Sequence, residues 1–223
     1  KKIMKTLTRQ LEEYIAAVFS GLWISTQEPE EAQVEINTLC IKNNWTMQTW
    51  DIAQGVWSTG TSTGDPLPVL KSFQESTYST ISIMVLWHWH RFLTNPMAVQ
   101  QMINTLLHAK QHRKYIVVLS PKTNIPIELE RLFVILEHPL PVAEQIKAIA
   151  EETVNQEAEI TQSMINAATG LTRSEVEGAF ALSHARNGKY NPKDIWEIKA
   201  NTLKKSGLLQ LYEGNESFFV FQS

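Results

Sequence analysis

Continuous apolar runs alternate with helically spaced apolar positions along residues 1–140 of this chain. Residues 81–90 (ISIMVLWHWH) form an apolar run that ends in polar and aromatic side chains, and residues 114–120 (KYIVVLS) form a second run. Short apolar runs bounded by turn residues are typical of buried strands. The segments between the runs have the spacing of amphipathic helices. This alternation predicts an α/β fold with a mainly parallel sheet and helices on both faces, in three layers.

The pattern changes after residues 138–141 (HPLP), where every further segment has helical spacing. We therefore predict an α/β domain at residues 1–140, a small helical lid at 141–213 and an apolar tail at 214–223. Thr172 and Glu175 have the spacing of a capping box at the start of one lid helix. Strands are predicted at 22–26, 45–51, 56–58, 81–90, 114–120 and 133–137, and helices at 3–19, 27–42, 97–112, 127–132, 142–155, 160–168, 172–187 and 192–206, with a further helix that begins at Pro66.

Composition narrows the functional classes. Twenty basic and 23 acidic residues give a net charge of −3, which does not favour a nucleic-acid-binding protein. No apolar run approaches the roughly 20 residues that span a bilayer, and we identify no signal peptide. The single cysteine, Cys40, excludes an internal disulfide and suits a reducing compartment. The expected location is the cytoplasm, with the plastid stroma as the alternative.

Short motifs in a fixed order carry a resemblance to a known family. They lie at residues 22–26, 65–67, 83–93, 115–121, 125–129, 138–141, 170–172 with Glu175 and Phe180, and 205–209. In this order they resemble the N-terminal half of the AAA+ ATPases encoded in cyanobacterial and plastid genomes and in some bacteria and phages. The resemblance implies a degenerate, P-loop-NTPase-like domain with a helical lid. In that family a catalytic ATPase module follows, and these 223 residues do not contain one.

The groups that bind nucleotide phosphates are missing where the fold would place them. A P-loop needs a glycine-rich turn that ends in Gly-Lys-Ser/Thr. The turn from the first predicted strand into the next helix contains instead Thr26, Gln27, Glu28 and Pro29, without glycine or lysine. Residues 60–64, with Gly60 and Gly64, are the only weak candidate for a phosphate loop, and Asp65 follows them. We expect no cofactor in this chain, and ATP and Mg²⁺ only where a separate AAA+ module supplies the site.

The run at 81–90 stands at the Walker B position that the resemblance implies. Mg²⁺ prefers oxygen ligands, and Trp87, His88, Trp89 and His90 supply no carboxylate. We therefore expect that the chain does not hydrolyse ATP by itself. Trp87 and Trp89 are expected to project into a helix layer, opposite to the histidines.

Four histidines form a weak candidate metal site. His88 and His90 would share one face of a strand, and His108 and His112 are four residues apart on a predicted helix. The alternative is that all four lie at strand and helix ends as ordinary surface residues. Cys40 has no nearby histidine or aspartate that would indicate a nucleophile and is expected to be buried.

Apolar residues near the end of the sequence indicate an interaction site, namely Phe218, Phe219 and Phe221. They would add a strand to a sheet edge or dock on a partner, or they reflect a truncated chain. The function that we infer is that of a catalytically inactive, AAA+-like domain for protein interaction or regulation of an ATPase. Its partner would be a protein or an AAA+ module, and association of several copies into an oligomer is a further alternative. The alternatives are a divergent ATP-binding or ATP-hydrolysing protein that uses the 60–64 loop with His88 and His90, and a histidine-based metal protein.

Overall fold

The computed structural model describes residues 6–57, 65–154 and 159–205. The chain divides into two compact units, Lys1–Pro139 and Leu140–Ser223, each of which has its own core. The first unit is a sheet with helices on both faces, and the second is helical.

The sheet of the first unit has the strand order β3-β2-β4-β5-β1-β6. All neighbouring strands are parallel except β3, which pairs antiparallel with β2 at the edge. This confirms the predicted mainly parallel α/β fold. The strands are β1 (Gly21–Ser25), β2 (Thr46–Asp51), β3 (Gly55–Val56), β4 (Ser82–Trp87), β5 (Lys114–Ser120) and β6 (Phe133–Glu137).

Alternate residues of the inner strands fill two separate cores, because successive side chains of a strand point to opposite faces. In β4, Ile83 and Val85 pack with helices α1 and α2 on one face, whereas Met84 and Leu86 pack with α3 and α4 on the other. The helices of this unit are α1 (Leu7–Ala16), α2 (Pro29–Asn43), α3 (Pro66–Glu75), α4 (Pro96–Ala109) and the short α5 (Ile127–Glu130).

Lys114 ties the start of β5 to the end of α3. Its side chain is buried, and its Nζ donates hydrogen bonds to the carbonyls of Phe73, Gln74 and Ser76. These carbonyls belong to the last turn and cap of α3, where an α-helix has no partners of its own and a cation is favourable. Burial lowers the pKa of Lys114, and the three carbonyl oxygens oppose this by stabilising the ammonium.

Several predicted boundaries are wrong at the ends of elements. The helix predicted at 3–19 begins at Leu7 within the described residues and stops at Ala16, because Val18 adopts a left-handed backbone with φ of 61°. The helix predicted at 97–112 stops at Ala109. The Asp65 and Asn95 side chains cap α3 and α4, since they accept the backbone N–H groups of Leu67 and Met97.

The second unit consists, in its described residues, of α6 (Ala143–Val154), α7 (Gln162–Ala168), α8 (Arg173–Asn187) and α9 (Pro192–Lys205). The predicted capping box is present, because the Thr172 hydroxyl accepts the N–H of Glu175 and the Glu175 carboxylate accepts the N–H of Thr172. Tyr190 donates from its hydroxyl to the carbonyl of Ala150 at 2.7 Å and so joins the α8–α9 connection to α6. Within the described residues, no helix of either unit is long and apolar enough to cross a bilayer.

Candidate functional site at the carboxyl edge of the sheet

The switch point of the sheet lies at the carboxyl end of β1. From β1 the chain passes to β2, β4 and β5 on one side, and β6 pairs with β1 on the other side. In open α/β sheets, ligands bind outside the carboxyl ends of the strands at this point. The residues that follow β1, β5 and β6 are therefore the expected position of a functional site.

Three side chains from different elements are joined by hydrogen bonds at this switch point. Thr26 follows β1, His138 follows β6, and Glu35 lies on α2. The Thr26 hydroxyl oxygen is 2.8 Å from His138 Nδ1, and His138 Nε2 is 3.2 Å from a Glu35 carboxylate oxygen. The His138 side chain is only 7% exposed. We call this set the Thr26–His138–Glu35 chain.

The donor directions follow from the chemistry of the groups. An ionised carboxylate can only accept, so His138 Nε2 carries the proton that Glu35 accepts. In the neutral imidazole Nδ1 then accepts the proton of the Thr26 hydroxyl. The Thr26 oxygen in turn accepts the backbone N–H of Glu28 at 3.0 Å.

A hydroxyl, an imidazole and a carboxylate in this order are also the parts of a nucleophilic triad. Thr26 is only 5% exposed, however, and its oxygen already accepts a backbone hydrogen. A substrate carbonyl therefore cannot approach the hydroxyl in this arrangement. The Thr26–His138–Glu35 chain instead holds together the ends of β1 and β6 and the first turns of α2.

The turn between β1 and α2 is too short to surround a phosphate. Only three residues separate Ser25 from Pro29, whereas a P-loop places several backbone N–H groups around the anion. The first turn of α2 carries Glu30 and Glu31, whose carboxylates repel an anion at the helix N-terminus.

The carboxyl end of β4 differs from the prediction. The strand ends at Trp87, His88 takes a left-handed conformation with φ of 55°, and residues 89–92 form a 3-10 turn. His88 and His90 therefore do not share one face of a strand. His88 is exposed, whereas His90 Nδ1 lies 2.8 Å from the hydroxyl oxygen of Ser120 at the end of β5.

Trp87 and Trp89 pack on opposite faces of the sheet, which corrects the expectation that both enter one helix layer. Trp89 is fully buried in the core that α3 and α4 cover, whereas Trp87 packs against the core on the opposite face. Burial lowers the pKa of His90, and the positive charges of Arg91 and Lys122 and a contribution from His88 add to this shift.

The second histidine pair lies at the opposite edge of the sheet. His108 is in the last turn of α4 and His112 follows that helix, and their rings stack at a centroid distance of 3.9 Å. Because α4 connects the carboxyl end of β4 to the amino end of β5, the two pairs are separated by about 20 Å, the length of a six-residue strand. In the described ranges no group of three or more His, Cys, Asp or Glu side chains could hold a metal ion. The four histidines therefore do not form one site.

The remaining sequence candidates have separate outcomes. Gly60 and Gly64 lie outside the described residues, as do Phe218, Phe219 and Phe221. Burial raises the pKa of the Cys40 thiol to about 11, so the thiol is protonated near neutral pH and is not a nucleophile.

Sequence analysis missed the Thr26–His138–Glu35 chain. The signal was present, because Thr26 ends one predicted strand and His138 directly follows another. Thr26 and His138 are 112 positions apart, however, and only the observed strand order places β6 beside β1.

Two family descriptions match the chain. Residues 7–138 match the N-terminal domain of the SpoVK-like AAA ATPases, and residues 142–206 match the second domain of the same family. The first match alone covers more than half of the sequence. This chain belongs to the SpoVK-like AAA ATPase family.

Curated relatives of the SpoVK-like chain are AAA domain-containing proteins named ycf46. The protein from Guillardia theta is 21% identical over 95% of this chain, and the protein from Trieres chinensis is 24% identical over 91%. The chain spans 44% and 43% of the length of these two relatives.

Solved structures support the fold of this SpoVK-like chain. The AAA domain of FIGL-1 in complex with ADP has a TM-score of 0.61 at 12% identity, covering 89% of this chain and 84% of that one. PCH-2 from C. elegans has a TM-score of 0.55 at 9% identity, covering 90% of this chain and 69% of that one. At these identities the similarity concerns the fold alone, and it confirms the predicted AAA+-like architecture.

Proposed function

We propose that this chain is a non-catalytic AAA+-like domain that acts through protein interaction or regulation, while ATP is hydrolysed by a separate AAA+ module. The family membership gives the fold class, and the residues at the switch point support the absence of catalysis. The location that we propose is the cytoplasm or, alternatively, the plastid stroma.

The observation that carries the proposal is the Thr26–His138–Glu35 chain. Its three polar side chains are bonded to one another at the place where this fold class binds its ligand. A phosphate at this point would lie beside the acidic first turn of α2, and the turn at residues 26–28 offers it neither a lysine nor a glycine.

The carboxyl end of β4 supports the same conclusion. The residues from Trp87 to Arg91 carry no carboxylate for Mg²⁺. Phosphoryl transfer depends on positioned cations and on a group that orients the attacking water. The described segment from Trp87 to Arg91 supplies no carboxylate to position the metal ion among these cations.

Calorimetric titration of the purified chain with Mg-ATP and Mg-ADP tests the catalytic part of the proposal. We expect no binding tighter than about 1 mM, which corresponds to about −4 kcal/mol. Binding in the micromolar range, or ATP turnover by this chain alone, would refute the proposal. A loss of that binding in the Thr26→Val and His138→Gln variants would locate it at the switch point.

The regulatory part is tested on a longer relative. The region of the Guillardia theta protein that matches this chain would be deleted, and ATP turnover would be compared with that of the intact protein. We expect the deletion to change turnover or assembly by more than twofold. Identical turnover and identical assembly in both proteins would contradict a regulatory role.

A further inference from the structure

A preformed cavity lies at the carboxyl ends of β2 and β4, away from the switch point. Its volume is about 480 Å³, and its walls include the rings of Trp57, Trp87 and Phe92. Sites for small ligands and buried side chains are commonly clefts of about 300–1,000 Å³ with mostly apolar walls. We call this cavity the tryptophan pocket.

Hydrogen bonds hold the two tryptophan rings of the pocket in place. Trp57 Nε1 donates to the carboxylate of Asp51, and Trp87 Nε1 donates to the side-chain carbonyl of Gln33 on α2. The two ring centroids are 5.3 Å apart at an angle of 52°. Because both indole N–H groups already have acceptors, the pocket offers ring faces and edges to a ligand. A ligand would bind here without first ordering the walls.

The charges around the pocket favour an anionic group beside the ligand's apolar part. The Asp51 carboxylate accepts the N–H groups of Ala53 and Gln54 at 2.7 and 2.8 Å as well as that of Trp57. Arg91, by contrast, is exposed, and among the described residues it has no ion-pair partner. The cation that is available to a ligand is therefore the Arg91 guanidinium, which is suited to binding a carboxylate.

Backbone conformation adds an independent sign of function at this place. His88 lines the pocket and has a left-handed conformation, with φ of 55° and ψ of 29°. Non-glycine residues in this region are uncommon and are found more often at binding sites and clamps. The conformation turns the chain from β4 into the 3-10 turn that carries Arg91 and Phe92.

We propose that the tryptophan pocket binds an aromatic side chain of a protein partner, and that an aspartate or glutamate next to that side chain in the partner pairs with Arg91. Aromatic residues and arginine are the usual centres of protein interfaces. Ile52 also lines the cavity and is 52% exposed, so apolar surface of the cavity is open to solvent, and this favours a peptide over a small molecule.

This inference rests on the proposed interaction role but has its own test. The probe is a blocked four-residue peptide, glycine–glutamate–phenylalanine–glycine, titrated into the whole ¹⁵N-labelled chain while the tryptophan indole N–H signals are followed by NMR. We expect saturable shifts of the Trp57 and Trp87 signals at millimolar peptide. Trp196 is the internal control, because it is 53% exposed and carries Lys199 over its ring at 4.9 Å. Equal shifts at Trp196, or none at Trp57 and Trp87 up to about 10 mM peptide, would overturn the proposal.

Charge reversal tests the acidic part of the proposed partner. Arg91→Glu should weaken the glutamate peptide by about two- to fivefold and should favour the matching lysine peptide by a similar factor. Arg131→Glu is the matched control, since Arg131 is also exposed, and it should change neither affinity. If Arg91→Glu leaves the preference unchanged, Arg91 does not recognise the partner's carboxylate.

Two further measurements keep the test decisive. Replacing phenylalanine by alanine in the peptide should weaken binding at least tenfold, as for an anchor in an interface. If phenylacetate binds as tightly as the peptide, the pocket is a small-molecule site and the assignment of a protein partner fails. The Mg-ATP titration is independent of these results, so failure of the pocket and failure of the non-catalytic role are distinguishable.

Discussion

At the scale of single residues, Gly21 lies against the backbone of a neighbouring segment. A Cβ atom built on Gly21, the first residue of β1, would lie 2.4 Å from the backbone carbonyl oxygen of Leu132. A backbone atom cannot rotate away as a flexible side chain does. The close approach of these two backbones is what allows the chain before β6 to lie beside β1.

We therefore expect Gly21→Ala to lower the free energy of unfolding by about 1–3 kcal/mol, the usual range for overpacking in a core. Chemical denaturation followed by circular dichroism measures this change. Gly178→Ala is the matched control, because nothing lies within 4 Å of the added Cβ in α8, and alanine is favoured there by about 1 kcal/mol. Equal destabilisation by the two substitutions would contradict this explanation.

His108 is the residue whose titration should be visible in stability. Burial lowers its pKa, and the nearby positive charges of His112 and Lys114 add to the shift; its Nδ1 is buried without a partner. The folded protein thus binds this proton less readily than the unfolded chain, whose histidine titrates near pH 6.5. Stability is therefore expected to fall as the pH decreases below about 6.5.

The test compares unfolding curves of the wild type and His108→Gln between pH 8 and pH 5. Between pH 6.5 and pH 5, the stability of the variant should decrease less than that of the wild type. Above pH 7 the two proteins should show the same pH dependence. A variant whose stability falls as steeply as that of the wild type would show that other groups cause the acid sensitivity.

At the scale of elements, the start of α8 offers a direct comparison between two threonines at N-caps. Thr172 makes both hydrogen bonds of a capping box with Glu175, whereas Thr161 at the start of α7 makes no side-chain capping bond. Thr172→Ala should lower the unfolding free energy of the helical unit by about 1 kcal/mol, and Thr172→Ser should restore most of it. Thr161→Ala should change it by less than about 0.5 kcal/mol. Similar losses at the two positions would refute a specific role for the capping box.

Elements that depend on local signals could be predicted from the sequence. The apolar runs of β4 and β5 and the capping box at Thr172 were all identified, because their patterns lie within a few neighbouring residues. The predicted end of β4 was wrong because the left-handed turn at His88 depends on contacts with residues distant in the sequence. The His88 N–H binds the carbonyl of Leu119, and the next residue, Trp89, is buried between helices and sheet.

The candidate site was harder to predict, because its residues are far apart in the sequence. Glu35 and His138 are 103 positions apart, and the order of six strands decides whether they meet. The tryptophan pocket combines Trp57, which follows the edge strand β3, with Trp87 at the end of β4. Hydrophobic periodicity shows that such residues are apolar, but it does not show which of them enclose a cavity.

At the scale of the whole molecule, the two compact units match the two family domains, residues 7–138 and 142–206. The domain limits that we infer from the sequence, 1–140 and 141–213, remain a proposal, and they predict that the first domain folds by itself. Its sheet has one core on each face, and neither core includes a residue beyond position 139. A fragment of residues 1–140 should therefore show a cooperative thermal transition.

Circular dichroism and near-ultraviolet tryptophan signals measure that transition, and the spectrum of the whole chain is the reference. The fragment should keep the near-ultraviolet signal of its six tryptophans, since Trp196 alone of the seven lies in the helical unit. A fragment that melts without cooperativity would show that the α/β domain needs residues beyond position 140.

The Thr26–His138–Glu35 chain also has an evolutionary consequence. A lineage that evolved a phosphate-binding loop after β1 would first have to lengthen a turn of three residues, which would separate Thr26 from His138. The early intermediates would leave buried polar groups unpaired, at about 1–3 kcal/mol each, before any phosphate was bound. Each such step would be selected against by itself. This hydrogen-bonded edge therefore permits change elsewhere in the domain but hinders the gradual evolution of a longer loop after β1.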